Sequence, residues 1–372
     1  MYPGFGTASP MSETALCLLY FVRTLHPANE KRLIMKKKLL KIAIAASLVV
    51  LASAIASTRI EAKSPKQSEH DRIIKFWTNA RIARAVPRDF VRNPKSRSFK
   101  QIQWNRGIGT TPTAASWLGN GEVSKSTGKV FFSMGTTYYV CSGSVILENA
   151  TDRSLVVTAA HCAYDEVKKQ FAENWLFVPE YYTKPAALSP DKSFCDYTQN
   201  GCWTSERLVV SSDYANAGSF NDQAVLHDFA FAAVGLGGKT GTANLDLLSV
   251  TGGHAVVYDK RQADVNTWIF GYPAANRYKG KALMYCNGLL GYDARMNNQT
   301  YRLPCSLTAG SSGGPWLNPF ASSTGSGDQF SVNSYTYGGS KAMYGPVFTS
   351  ETGAMFSRAQ TATENVIYSS AP

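Results

Sequence analysis

From about residue 125 onward the chain consists of short apolar or alternating runs broken by Gly, Asn, Asp and Ser: KVFFSM, YYVCSGSVIL, SLVVTA, WLFVP, RLVV, FAFAAV, HAVVY, TWIFGY, ALMYCNG, GPWLN, QFSVNSY and MYGPVF. About a dozen strands at this spacing predict an all-β architecture of barrels or a sandwich. Only the stretch from Ala354 to Val366 reads as helical. The 30 glycines, 16 prolines and 19 tyrosines suit many turns between strands, and they argue against a helical bundle. With 44% hydrophobic residues the chain can fill one or two cores, which excludes a disordered or collagen-like polymer. A glycine-rich stretch from Gly235 to Gly241 divides the region into comparable halves, predicting two β-domains with a cleft between them.

The net charge of +12 points at first to a polyanion partner. Of 38 basic and 26 acidic residues, however, residues 1–115 hold 20 and 6, leaving 18 and 20 for the remainder. The basicity is local, and no nucleic-acid partner is expected. Lys36, Lys37, Lys38 and Lys41 precede an apolar run from Ile42 to Ala56 that closes on Ala54-Ile55-Ala56, the pattern of a signal peptide starting at Met35. As a helix this run is about 22 Å long, short of the roughly 30 Å of a bilayer core. Stable membrane insertion is therefore not expected, and cleavage near Ala56 would export the protein to the periplasm or the extracellular space. Residues 1–34 then form an upstream leader assigned in error, with Cys17 inside it. Residues 57–115 are polar, basic and poor in aliphatics, and they read as a pro-segment or a solvated extension that buries little by itself. Residues 116–372 form the main domain.

Six cysteines remain in the exported part, and an even number favours three disulfides in an oxidising compartment. Six allow 15 pairings. Proximity favours Cys195 with Cys202; Cys141 and Cys162 end strand-like runs and can staple neighbours; Cys286 and Cys305 are left over. No C-x2-C pair exists to suggest zinc.

Three segments carry chemistry. Thr158-Ala159-Ala160-His161-Cys162 presents a histidine where a β-branched run stops, Asp228-Phe229-Ala230 places a carboxylate at the start of an apolar strand, and Gly310-Ser311-Ser312-Gly313-Gly314-Pro315 holds a serine in a glycine turn. A serine hydroxyl becomes a nucleophile when an imidazole accepts its proton, and the imidazole needs a buried carboxylate to fix its tautomer. Glycines let backbone amides reach the developing oxyanion, at about 3 to 4 kcal/mol per donor. Asp222 is the alternative acid, without an apolar strand directly behind it.

TAAHC, DFA and GSSGGP, in that order, resemble the chymotrypsin-like serine peptidases over about residues 125–350. The resemblance implies two six-stranded antiparallel β-barrels, here about 116–236 and 245–350, with the active site between them. It implies His161 as general base, Asp228 as its orienting acid, Ser312 as nucleophile, and the amides of Gly310 and Ser312 as the oxyanion hole. The implied activity is that of a monomeric serine endopeptidase acting on proteins or peptides, with neither metal nor organic cofactor. Ser311 stands where many animal members carry an aspartate that pairs with a new N-terminus, so the sequence looks nearer the bacterial secreted and glutamyl-endopeptidase-like branches. An inhibitory extension would then work by another route, such as covering the cleft.

Ser306 and Ser334 are the candidate substrate-pocket residues. Pro304 to Ala309 lacks the carboxylate that Lys or Arg specificity requires, and Asn333 stands where a glutamate-specific relative carries histidine. A catalytically silent binding protein on this fold, an esterase or amidase using the same three residues, and a polyanion binder acting through 57–115 are the competing functions.

Overall fold

The computed structural model describes residues 65–102, 114–150, 152–181, 194–238, 245–274, 278–307 and 309–369. All belong to the second of two compact units, Lys63–Pro372. The predicted leader and signal peptide lie outside the described residues.

The basic extension is folded. Pro65 opens a helix, Pro65–Phe76, at the position where a missing N–H costs nothing. Short strands β1 (Val86–Pro87), β2 (Asp89–Arg92) and β3 (Phe99–Ile102) follow. Ile73, Trp77 and Phe90 are buried, so the expectation that this stretch buries little holds only for the segment taken alone. Its apolar side chains are too few for a core of their own, and they find one on the strands that come later.

Six strands then close into an antiparallel ring: β4 (Thr127–Met134), β5 (Thr137–Ile146), β6 (Ser154–Thr158), β7 (Glu173–Pro179), β8 (Trp203–Ser211) and β9 (Ala230–Val234). Hydrogen-bonded neighbours run β5-β4-β7-β8-β9-β6, and β6 returns to β5. Alternation along β4 sorts its side chains. Val130 and Phe132 point inward with Val145, Val156, Phe177 and Val210. Phe131 points outward with Val140 and Leu176, and Ile73 and Trp77 of the extension cover that face. Trp77 lies 5.7 Å from Phe131 between ring centroids and donates its indole N–H to the Asn174 carbonyl at 2.6 Å.

The second half holds β10 (Asn266–Gly271), β11 (Met284–Leu289), β12 (Thr300–Pro304), β13 (Pro315–Ala321), β14 (Ser326–Val332), β15 (Tyr335–Tyr337) and β16 (Ala342–Pro346). They form two sheets, one ordered β14-β13-β10-β11 and the other β12-β16-β15-β2-β3. Cys286 of β11 and Cys305, just past β12, are disulfide-linked and join the two sheets. Ile269, Tyr301, Trp316 and Phe330 fill the space between them. The all-β, two-barrel reading of the sequence stands, with the extension adding two strands to the second half.

Individual segments depart from the sequence reading. HAVVY makes isolated bridges, His254 to Ile146 and Val256 to Gln329, and no strand. TYRLP, too polar to stand out, is β12, with Tyr301 and Leu303 buried. The C-terminal helix spans Ser350–Thr361 and gives way to a strand, β17 (Val366–Tyr368), which pairs with β8. Thr349 and Thr352 cap the helix reciprocally, and Met355 and Ala359 press on Val209 and Phe231 outside the first ring.

Candidate active site

Register brings the first two groups together. Thr158, at the end of β6, pairs with Ala230, at the start of β9. The chain leaving β6 toward His161 and the chain entering β9 from Asp228 therefore meet at the same end of the ring. His161 sits in the single turn Ala160–Cys162, anchored by the Cys162–Cys141 disulfide to β5. Its ring Nδ1 lies 2.8 Å from Asp228 Oδ2, and its backbone N–H donates to Asp228 Oδ1 at 3.0 Å. The Ser334 hydroxyl donates to the same Oδ2. Both His161 and Asp228 are fully buried. With Nδ1 turned to the carboxylate, Nε2 is the free ring nitrogen, and it has no hydrogen-bond partner among the described residues.

The serine turn is built from backbone constraints. Gly310 and Gly313 have φ of +96° and +83°, where a side chain is disfavoured. A Cβ on Gly313 would also come 2.3 Å from the Ser142 carbonyl. Ser142 of β5 binds the turn twice, its N–H donating to the Ser312 carbonyl at 2.7 Å and its hydroxyl to the Gly310 carbonyl at 2.9 Å. Asn333 holds the other side, its amide donating to the Phe270 and Ser311 carbonyls at 2.7 and 2.9 Å and accepting from the Trp316 indole at 2.9 Å. Ser312 is thus presented on a turn clamped from both halves of the fold.

The Ser312 hydroxyl donates to Asp89 Oδ1 at 2.6 Å, and the Gly310 N–H donates to Asp89 Oδ2 at 2.8 Å. Asp89 comes from β2, in the extension. Burial pushes its carboxyl above the ordinary aspartate value, while His161, the Ser312 hydroxyl and the Gly310 amide pull the other way. Phe90 lies edge-on to the His161 ring at 5.4 Å and stacks on Phe220 at 3.8 Å. Arg88 donates to the His161 carbonyl at 2.6 Å and to Glu166 at 3.1 Å.

The remaining candidates have definite places. Asp222, the alternative acid, receives both ends of the Arg92 guanidinium, at 2.9 and 2.6 Å. Ser334 spends its hydroxyl on Asp228, and Ser306 accepts from the Ala114 N–H at 3.1 Å and contacts the Tyr278 hydroxyl at 3.2 Å. All three disulfides pair as the spacing indicated: Cys141–Cys162, Cys195–Cys202 and Cys286–Cys305. Sequence reasoning missed Asp89 and its neighbours. The one available signal was the β-favouring Val86, Phe90 and Val91 within an otherwise basic stretch.

The fold and this site define a chymotrypsin-like serine protease. Solved structures agree. The thermostable serine protease AL20 from an extremophilic microorganism is 32% identical over 64% of this chain and 99% of its own, with a TM-score of 0.53. The protease Anisep from Arthrobacter nicotinovorans is 31% identical over 67% of this chain and 100% of its own, with a TM-score of 0.54. A Glu endopeptidase shares the fold at 16% identity, covering 68% of this chain and 100% of its own, with a TM-score of 0.50. No protein-family model and no curated protein matches the sequence. On these relatives, matched over nearly their whole length, the chain belongs to the chymotrypsin-like serine protease family.

Proposed function

We propose that the protein is an exported endopeptidase that cleaves proteins or peptides through an acyl-enzyme on Ser312. The observation that carries this reading is the two-point hold of Asp228 on His161, through Nδ1 and the backbone N–H. It leaves Nε2 as the base. As the Ser312 oxygen attacks a peptide carbonyl, its proton passes to Nε2 and the carbonyl oxygen takes the negative charge. The N–H groups of Gly310 and Ser312 receive that charge, and Asp228 stabilises the imidazolium. Collapse expels the amine, which takes the proton from Nε2; water then repeats the sequence on the ester and frees the serine. No metal or organic cofactor enters the scheme.

Export is supported by the Lys36–Ala56 pattern and by three disulfides, which suit an oxidising compartment. Among the described residues no helix is long and apolar enough to cross a membrane. The test is digestion of a diverse peptide pool, read by mass spectrometry, by the intact chain and its Ser312→Ala variant. Each is assayed with native Asp89 and with Asp89→Ala, because that carboxylate holds the serine hydroxyl. Cuts that vanish with Ser312→Ala are expected, and their flanking residues report the pocket preference. An Asp89→Ala chain that cuts no peptide yet hydrolyses simple esters would replace the peptidase with an esterase.

A further inference from the structure

We propose that residues 86–102 are a built-in inhibitor that keeps the intact chain latent, with the Asp89 carboxylate occupying the place of a substrate's reacting carbonyl. The proposal deepens the peptidase reading and rests on it. The two groups a substrate carbonyl must meet are the Ser312 oxygen and the Gly310 N–H, and Asp89 engages both, at 2.6 and 2.8 Å. The carboxylate carries its negative charge before any bond forms, as the oxyanion does after attack, so it suits the same donors. Its carbon is a poor electrophile, because the charge is already spread over two oxygens and repels an incoming alkoxide. The occupant is a side chain, so no peptide bond lies on the serine. With its proton directed to Asp89, Ser312 is not paired with His161, whose Nε2 stays buried without a partner among the described residues.

The segment on either side of Asp89 is fixed at several points. Upstream, Val86 and Pro87 pair in parallel with Tyr139 and Val140 of β5, and Arg88 bridges the His161 carbonyl and the buried Glu166. Downstream, Phe90, Val91 and Arg92 pair with Tyr335, Thr336 and Tyr337 of β15, and β3 folds back on β2 as a hairpin partner. Arg92 ties the strand to Asp222 and to the Tyr337 hydroxyl at 3.0 Å. Phe90 and Phe220 pack against the imidazole edge, and His161 has no exposed surface. Anchors on both halves of the fold hold the carboxylate at the one place where it blocks both nucleophile and oxyanion donor. A merely solvated extension would show none of these.

The experiment measures labelling of the intact chain by a fluorophosphonate, which forms a bond between phosphorus and an activated serine oxygen as fluoride leaves. Peptide-pool cleavage is followed in parallel. Wild type, Asp89→Ala, Asp89→Asn and Ser312→Ala are compared, each with a thermal melt. Asp89→Ala should label and cleave about tenfold faster than wild type or more, the scale of losing hydrogen bonds to a charged group. Asp89→Asn, which keeps the shape and one acceptor oxygen, should fall between them, and it carries the test if Asp89→Ala does not fold. Equal rates for wild type and both Asp89 variants, with Ser312→Ala silent, would overturn the inhibitor and leave the peptidase standing. Folded Asp89 variants that neither label nor cleave would overturn both.

Discussion

Ser334 shows how a residue's role depends on where its side chain points. Its position beside the serine turn makes it a candidate for the substrate pocket, yet its hydroxyl donates to Asp228, which already accepts twice from His161. It is a positioning residue for the acid. Ser334→Ala in an Asp89→Ala chain should lower kcat about tenfold with KM unchanged, because a weaker hold on the imidazole is felt where charge develops on it. A rise in KM at constant kcat would return Ser334 to the pocket. His161, Asp228 and Ser312 could be singled out as candidates because each sits in a local pattern that the proposed chemistry asks for: a strand end, a strand start and a glycine turn. Asp89 has no such pattern. It is one acidic side chain among arginines, and its partners lie 221 and 223 residues away.

Among elements, the disulfides and the strands they join were accessible from spacing and alternation. The Cys141–Cys162 bridge closes 21 residues and fixes the His161 turn to β5. Replacing both cysteines with alanine should cost about 3 kcal/mol of stability, measured by denaturant melts, on the loop-closure scale. It should also lower the rate of serine labelling, since the histidine turn loses its anchor. HAVVY illustrates the limit of pattern reading: the run is apolar enough for a strand, but its backbone hydrogen bonds to Val145, Leu147 and Gln329 amount to two isolated bridges and no ladder. Val256 is partly buried, packed against the cluster that holds Met355 and Ala359 of the C-terminal helix. Strand β2 illustrates the converse. Four residues, DFVR, become a strand because β15 and β3 supply hydrogen-bond partners on both sides.

At the scale of the molecule, the extension and the first ring are one packing unit. Phe131 faces outward from β4 and is only 2% exposed because Ile73 and Trp77 cover it. Trp77→Ala should therefore destabilise the whole protein by about 3 to 5 kcal/mol in a single denaturant transition. A change confined to an early, minor transition would show the extension folding separately. On the same strand Lys129 is buried with its ammonium over the Tyr181 ring at 4.2 Å, and burial lowers its pKa to about 7. The folded chain thus releases this proton near pH 7, while the unfolded chain keeps it to about pH 10, so stability rises with pH between those values. The slope is at most about 1.4 kcal/mol per pH unit. Denaturant melts across that range should show the rise, and Lys129→Met should flatten it. By itself the sequence indicated the β architecture, favoured the three cysteine pairs that the structure shows, and offered His161, Asp228 and Ser312 as candidates for the serine chemistry, because alternation, spacing and glycine turns act over short stretches of chain. Only the tertiary structure decided that the basic extension is part of the fold and that Asp89 sits on Ser312. Those contacts depend on surfaces that exist only after both halves have closed, and no local pattern records them.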